Sequence, residues 1–87
     1  MNKEVKEKFL EICEVLQKPS KKEDATNGFY WQLNYNTFYG VYAVYSVNVA
    51  CGGVCAVFGN ERRSKKEILS FFDGILVANN YLNSKND

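Results

Sequence analysis

The segment Cys51-Gly52-Gly53-Val54-Cys55 contains the one cysteine spacing in this chain that invites a redox pair or half of a metal site. A zinc site needs further thiolate or imidazole ligands, and the sequence offers neither a second close cysteine pair nor a histidine. Free cysteine also packs readily as a small buried hydrophobe. We therefore interpret Cys51 and Cys55 as small residues filling opposite faces of a sheet, and we expect no metal and no cofactor.

Other catalytic groups are scarce. The absence of histidine removes the usual general base at neutral pH, and with it the Ser-His-Asp and Cys-His nucleophile pairs. Four carboxylates lie along the first predicted helix, but lysines are interleaved with them, which is typical of a solvated helix face: Glu4, Glu7, Glu11 and Glu14. We predict that the chain is not an enzyme.

A basic run surrounds Ser64, and its four cations are Arg62, Arg63, Lys65 and Lys66. The run lies at a predicted helix N-terminus, where free backbone N–H groups and the helix dipole favour anions. Cations at that position oppose the dipole, so a second factor would have to favour them. Two interpretations stay open: an ordinary solubilising turn, or a site for an anionic partner, either nucleic acid or acidic protein.

The segment Ser64-Lys65-Lys66-Glu67, within a predicted α-β-β-β-α order, resembles the double-stranded RNA-binding domain. In that family a Ser-Lys-Lys-x-Ala-Lys segment opens the last helix and grips phosphates. Lys65 and Lys66 match the two leading lysines, whereas Ile68 and Leu69 replace the alanine and the final lysine. The family's Gly-Pro-x-His loop is missing, because this chain has Tyr35-Asn36-Thr37 between its first two strands. The resemblance implies the fold and an RNA-binding basic corner.

The composition describes the scaffold that must position these residues. The chain has 87 residues, 46% of them hydrophobic and 15% aromatic, which suits a single folded domain over residues 1–87. Its net charge of +1 is too small to attract the chain as a whole to nucleic acid or to a membrane. The charged start and the lack of a long apolar run predict a cytoplasmic protein that does not enter the membrane. Three cysteines without a secretion signal favour free thiols.

Two amphipathic helices frame the predicted domain. The first has Asn2 as its N-cap, an apolar stripe and an end set by Pro19. The last begins with a capping box, in which Ser64 and Glu67 satisfy each other's backbone N–H groups. Residues 18–28 are predicted to be a polar connector, and residues 83–87 a frayed tail.

Three strands are predicted between the helices, because the hydrophobic period changes to two from Phe29 onward. A two-residue turn at Gly52-Gly53 would pair Cys51 with Val54. A three-residue loop near Asn36, or a bulge at Gly40, would then place Phe29, Trp31 and Leu33 on the same side as Val41 and Ala43. The expected fold class is α+β, with a three-stranded antiparallel sheet carrying both helices on one face.

With that register, Tyr30 and Tyr42 lie on the second face of the sheet, and Tyr81 points away from the apolar stripe of the last helix. Tyrosine suits interfaces, since it joins a broad apolar body to one polar tip. The uncovered aromatic face would be a partner site or a homodimer surface. The alternative is that loops or the connector cover it.

The function predicted from these features is binding of a larger protein, through Tyr30, Tyr42, Tyr81 and the basic run. The small size and lack of catalytic groups are typical of the inhibitors that phages and mobile elements use against host defences, anti-CRISPR proteins among them. Such an inhibitor would act by steric occlusion of its target, and a host effector that handles nucleic acid is a candidate target. The second hypothesis is an RNA- or DNA-binding domain that uses Arg62, Arg63, Lys65 and Lys66.

Overall fold

The structure is a computed structural model that describes residues 1–59 and 62–85. The predicted α-β-β-β-α order is confirmed, with the elements α1 (Lys3–Val15), β1 (Phe29–Asn36), β2 (Val41–Asn48), β3 (Val54–Ala56) and α2 (Lys65–Lys85). The three strands form one antiparallel sheet in the order β1-β2-β3. The fold class is therefore α+β, as the change of hydrophobic period from helical to alternating predicts.

Helix α1 begins where the sequence predicts and ends slightly before Pro19. The Asn2 side chain caps it by accepting a hydrogen bond from the Val5 backbone N–H at 3.2 Å. At the other end Gln17 adopts a left-handed φ of 57°. This lets the Lys18 N–H reach back to the Cys13 carbonyl at 2.8 Å, which closes the last turn.

Both helices pack on the same face of the sheet. One core cluster unites buried residues of α1, of α2 and of the first two strands, and it contains Val5, Phe9, Ile12, Cys13, Leu33, Tyr42, Val44, Ile68 and Phe72. The helices also contact each other across the Phe9 and Phe72 rings, whose centroids are 6.5 Å apart. A short ion pair joins their polar sides, with Lys8 Nζ 2.7 Å from Asp73 Oδ1.

The predicted connector, residues 18–28, contains a short 3₁₀ helix over Lys22–Asp24. Its first part runs beside strand β1, because the Pro19 carbonyl accepts a hydrogen bond from the Trp31 N–H at 2.8 Å. At the other terminus α2 continues through Lys85. Residues 83–85 of the predicted tail are thus helical, and residues 86 and 87 lie outside the described part of the chain.

Two four-residue loops set the register of the sheet. Asn36 and Asn48 each precede a glycine by four residues, and each asparagine carbonyl accepts a hydrogen bond from that glycine's N–H at 2.8 Å. Each side-chain Oδ1 also accepts N–H bonds from the second and third residues that follow. Gly40 and Gly52 then have left-handed φ values of 64° and 74°, which glycine adopts without strain.

This register corrects the predicted turns. The two-residue turn at Gly52-Gly53 is wrong, since Val47 rather than Cys51 pairs with Val54. The predicted three-residue loop or bulge near Gly40 is also wrong, because Tyr35 pairs with Tyr42 across a four-residue loop. Residues that pair directly across antiparallel strands share a face, so the even-numbered residues of β2 join the β1 core residues.

The placement of Tyr42 on the second face of the sheet is therefore wrong. Tyr42 is 4% exposed and belongs to the core cluster beneath the helices. Its ring packs on Tyr35, with 4.6 Å between the centroids. Val44, two residues along the same strand, shares the face of Tyr42 and lies in the core with it. Val41 and Ala43, expected in the core, occupy the second face instead.

Candidate functional site

The second face of the sheet carries several apolar and aromatic residues, and we call it the open face. Its members alternate with the core residues along β1 and β2, and cross-strand pairs join Tyr30 to Val47, Val47 to Val54 and Tyr45 to Ala56. The open face consists of Tyr30, Val41, Ala43, Tyr45, Val47, Val54 and Ala56, with Gln32 and Asn34 among them. Neither α1 nor α2 covers it within residues 1–59 and 62–85, because both helices pack on the other side.

The accessibility of the open face is uneven. Val47 is only 8% exposed, because Tyr30 and Val54 lie beside it as its cross-strand neighbours. Val54 is 56% exposed, and Tyr30 and Tyr45 are half-buried. Such a surface offers tyrosine rings and valine methyls already held in position by the sheet, which is the composition of the central part of many protein interfaces.

A polar hollow of about 160 Å³ lies at the end of the open face nearest the first loop. Among the residues that line it are Asn34, Asn36, Tyr45 and Arg62. The strands hold the amides and the phenol in position, and Arg62 brings a positive charge to the rim. The hollow can therefore accept a small polar side chain from a partner, and its charge favours a carboxylate.

The basic run divides into two kinds of residue. Arg62, Lys65 and Lys66 are exposed, whereas Arg63 is half-buried and its guanidinium carbon lies 3.9 Å from the centroid of the Phe71 ring. The Arg63 backbone also pairs with the Tyr42 backbone as an isolated antiparallel bridge. Arg63 thus has a structural role in joining the sheet to α2, and three cations of the run face solvent.

The predicted capping box is confirmed at the start of α2. The Glu67 N–H donates to Ser64 Oγ at 3.3 Å, and the Ser64 N–H donates to Glu67 Oε1 at 3.1 Å. The hydrogen bond from the Ser64 side chain, followed by that from its backbone N–H and by the charge of Arg63, lowers the pKa of Glu67. The Glu67 carboxylate therefore occupies the N-terminus of α2, where an anionic partner of the basic run would also have to bind.

The structure separates the three tyrosines predicted to bind a partner. Tyr30 lies on the open face, and Tyr42 is buried beneath the helices. Tyr81 is 65% exposed but belongs to α2, on the other side of the sheet. Sequence reasoning missed Tyr45 and Val54 as members of the open face. The repeated Asn-x-x-x-Gly spacing, Asn36 to Gly40 and Asn48 to Gly52, was the signal that fixes their orientation.

The cysteines show no sign of a shared site. Cys51 and Cys55 are both exposed, and Cys51 lies in the second loop outside the strands, so the prediction that the two fill opposite faces of the sheet is wrong for Cys51. The Cys51 Sγ accepts a hydrogen bond from the Gly53 N–H at 3.4 Å within the second loop. Cys13 is buried in α1, and desolvation raises the pKa of its thiol to about 11. No cluster of three potential metal ligands occurs among the described residues.

Comparisons with protein-family models, with curated proteins and with solved structures find no match to this chain. Neither helix in the described part of the chain is long and apolar enough to cross a membrane. The function of the chain is therefore inferred from the geometry of the open face and of the basic run.

Proposed function

We propose that this chain is a non-catalytic protein-binding module whose open face docks on a larger protein. The observation that carries the proposal is the side of the sheet with Tyr30, Tyr45, Val47 and Val54, on which neither helix packs. Apolar and aromatic residues grouped on one uncovered sheet face are typical of an interaction surface. Its two tyrosines suit an interface, because they add contact area at little cost in conformational entropy.

The charges beside the open face favour an acidic partner surface. Arg62 lines the hollow at one end of the face, and Lys65 and Lys66 follow it in the chain with exposed side chains. A carboxylate in the hollow would meet a guanidinium and two amide side chains. The apolar centre would supply most of the affinity, and the cations would mainly set orientation and the rate of association.

Occupation of a partner's working surface is the mechanism we propose for the bound state. A rigid sheet face can block a site on a larger protein without any catalytic group. We propose that such occlusion would let the chain act as a phage or mobile-element inhibitor of a host defence, of the anti-CRISPR type. The partner we propose is a host effector with an acidic patch beside an apolar one.

Nucleic-acid binding is the second candidate, and the exposed side chains of Arg62, Lys65 and Lys66 favour it. Two features weaken it. The Arg63 guanidinium packs on Phe71 rather than facing solvent, and the Glu67 carboxylate adds a negative charge at the same helix end. A nucleic-acid complex would lose affinity steeply with added salt, because each phosphate contact releases counterions.

A pair of matched substitutions tests the proposed function. Val54→Asp places a charge on the open face, and Val77→Asp makes the same change on α2, where Val77 is 68% exposed. The tagged wild-type chain and both variants are incubated with host-cell lysate, either untreated or treated with nuclease, and captured proteins are compared. We expect a protein that the wild type and Val77→Asp retain and that Val54→Asp loses by at least about tenfold.

Two results would contradict the proposal. Equal capture by Val54→Asp and Val77→Asp would show that the open face is not the docking surface. Capture that disappears after nuclease treatment, and returns with added nucleic acid, would favour the second candidate. Circular dichroism of both variants checks that each keeps the wild-type fold.

A further inference from the structure

A second surface, separate from the open face, lies between α1 and the outer edge of strand β1. It is a groove of about 550 Å³. Phe9 and Leu10 of α1 line one side, and Trp31 and Leu33 of β1 line the other. A groove of this size accommodates one or two side chains of a peptide.

The backbone along this groove has unused hydrogen-bonding groups. Strand β1 is at the edge of the sheet, with β2 on its inner side only. The Trp31 N–H points outward, since it donates to the Pro19 carbonyl. Backbone direction alternates along a strand, so the N–H and C=O groups of Leu33 and Tyr35 point outward as well. Among residues 1–59 and 62–85 nothing pairs with them along that edge.

The rim of the groove is positively charged. Lys6 and Lys21 line it, one from α1 and one from the connector, and the described lining residues include no carboxylate. An apolar floor, a cationic rim and an open strand edge are three complementary features of one site. Addition of a strand to an exposed edge is a common mode of peptide recognition, in which main-chain bonds give affinity and side-chain pockets give specificity.

We propose that this groove binds an extended acidic peptide, which adds to the sheet as a fourth strand beside Leu33 and Tyr35. Side chains of the peptide that point to the α1 side of the sheet enter the groove, with apolar ones over its floor and carboxylates beside Lys6 and Lys21. The connector limits the length of the added strand, because Pro19 already pairs with Trp31. The proposal does not depend on the open face, which lies on the other side of the sheet.

The single tryptophan of the chain provides the measurement, since Trp31 lines the groove. A blocked peptide with the repeat leucine-threonine-glutamate-threonine, which places leucine and glutamate on the same face of a strand, is titrated into the protein, and Trp31 fluorescence is recorded. Two further peptides serve as controls: one has lysine in place of glutamate, and the other carries N-methyl groups on alternate backbone nitrogens. We expect a saturable change with the first peptide and at least about tenfold weaker binding of both controls.

Matched charge reversals locate the site. The double variant with Lys6→Glu and Lys21→Glu is expected to bind the leucine–glutamate peptide about tenfold more weakly, and the double variant with Lys65→Glu and Lys66→Glu to bind it nearly as tightly as the wild type. In amide NMR spectra the Leu33 and Tyr35 signals should shift on binding.

Several outcomes would overturn the inference: no saturable change, equal binding of the N-methylated or lysine peptide, or equal weakening by both double variants. Val54→Asp separates this inference from the proposed function. That variant should bind the peptide as the wild type does, while losing the protein that docks on the open face.

Discussion

The Tyr42 and Arg63 backbones exchange two hydrogen bonds, with N···O distances of 2.6 and 3.0 Å. This bridge lies just before α2 and holds the beginning of that helix against the sheet. At the same residue, the Tyr42 ring is buried beneath the helices and packs against the Tyr35 ring. The two tyrosines of β2 therefore have different roles. Tyr42 stabilises the fold, whereas Tyr45 is available on the open face.

The first prediction contrasts those two tyrosines. Tyr42→Ala should lower the free energy of unfolding by about 3 kcal/mol or more, because it leaves a cavity in the core. Tyr45→Ala should cost only about 1 kcal/mol, since no helix packs on its ring. Urea denaturation followed by circular dichroism measures both values. Similar losses for the two variants would show that the assignment of the sheet faces is wrong.

The second prediction concerns two glycines in different backbone conformations. Gly40→Ala should lower stability by about 1–2 kcal/mol, because its φ of 64° is unfavourable for any residue with a Cβ. Gly74→Ala should raise stability by up to about 1 kcal/mol, since alanine favours the helix and its Cβ would meet no atom within 4 Å. Thermal unfolding of both variants tests the opposite signs. A stabilising Gly40→Ala would exclude the four-residue loop.

The third prediction concerns the capping box of α2. Ser64→Ala should lower stability by about 1 kcal/mol at neutral pH, whereas Ser70→Ala, at an exposed site within the helix, should have little effect. The pKa of Glu67 should rise toward its ordinary value in Ser64→Ala, because its main hydrogen-bond donor is lost. Carboxyl NMR titration of both variants measures that shift.

The pH dependence of this cap follows from the lowered pKa of Glu67. Its contribution to stability is complete above the unfolded-state pKa of about 4.3 and is lost as the pH falls through the lower folded-state value. The difference in stability between wild type and Ser64→Ala should therefore shrink in acid. A difference that grew as the pH fell would contradict the capping geometry.

The fourth prediction distinguishes the three thiols. Cys51 and Cys55 are exposed, and Cys13 is buried with a pKa of about 11. Because the thiolate is the reactive form, a thiol reagent at pH 7 should modify Cys51 and Cys55 in the folded protein. Cys13 should react only after unfolding in urea. Mass spectrometry of the digested protein assigns each site, and early modification of Cys13 would contradict its burial.

The helices could be predicted from the sequence because their signals are local. The Asn2 cap, the Ser64–Glu67 capping box and the spacing of the apolar residues each act within a few residues of the chain. The register of the sheet could not be predicted in the same way. Strand β2 is apolar on both faces, so alternation alone does not choose which side the helices cover.

The error in the sheet faces has a particular cause. The side of β2 under the helices ends in Ser46 and Asn48, whereas the other side carries Val41, Val47 and Tyr45. The more uniformly apolar side was therefore interpreted as the core, although it is the open face. Recognition of the two Asn-x-x-x-Gly loops would have set the correct pairing. Arg63 is half-buried and structural because it contacts Phe71 and Tyr42, which both lie outside the basic run in which Arg63 was identified.

Hydroxyl-radical footprinting of the complex recovered with the wild-type chain tests the central claim most directly. Tyr30 and Tyr45 lie on the open face, and Tyr81 is an exposed tyrosine on the opposite side of the molecule's sheet. We expect oxidation of Tyr30 and Tyr45 to fall on binding while that of Tyr81 stays unchanged. Protection of Tyr81 with no change at Tyr30 and Tyr45 would contradict docking through the open face.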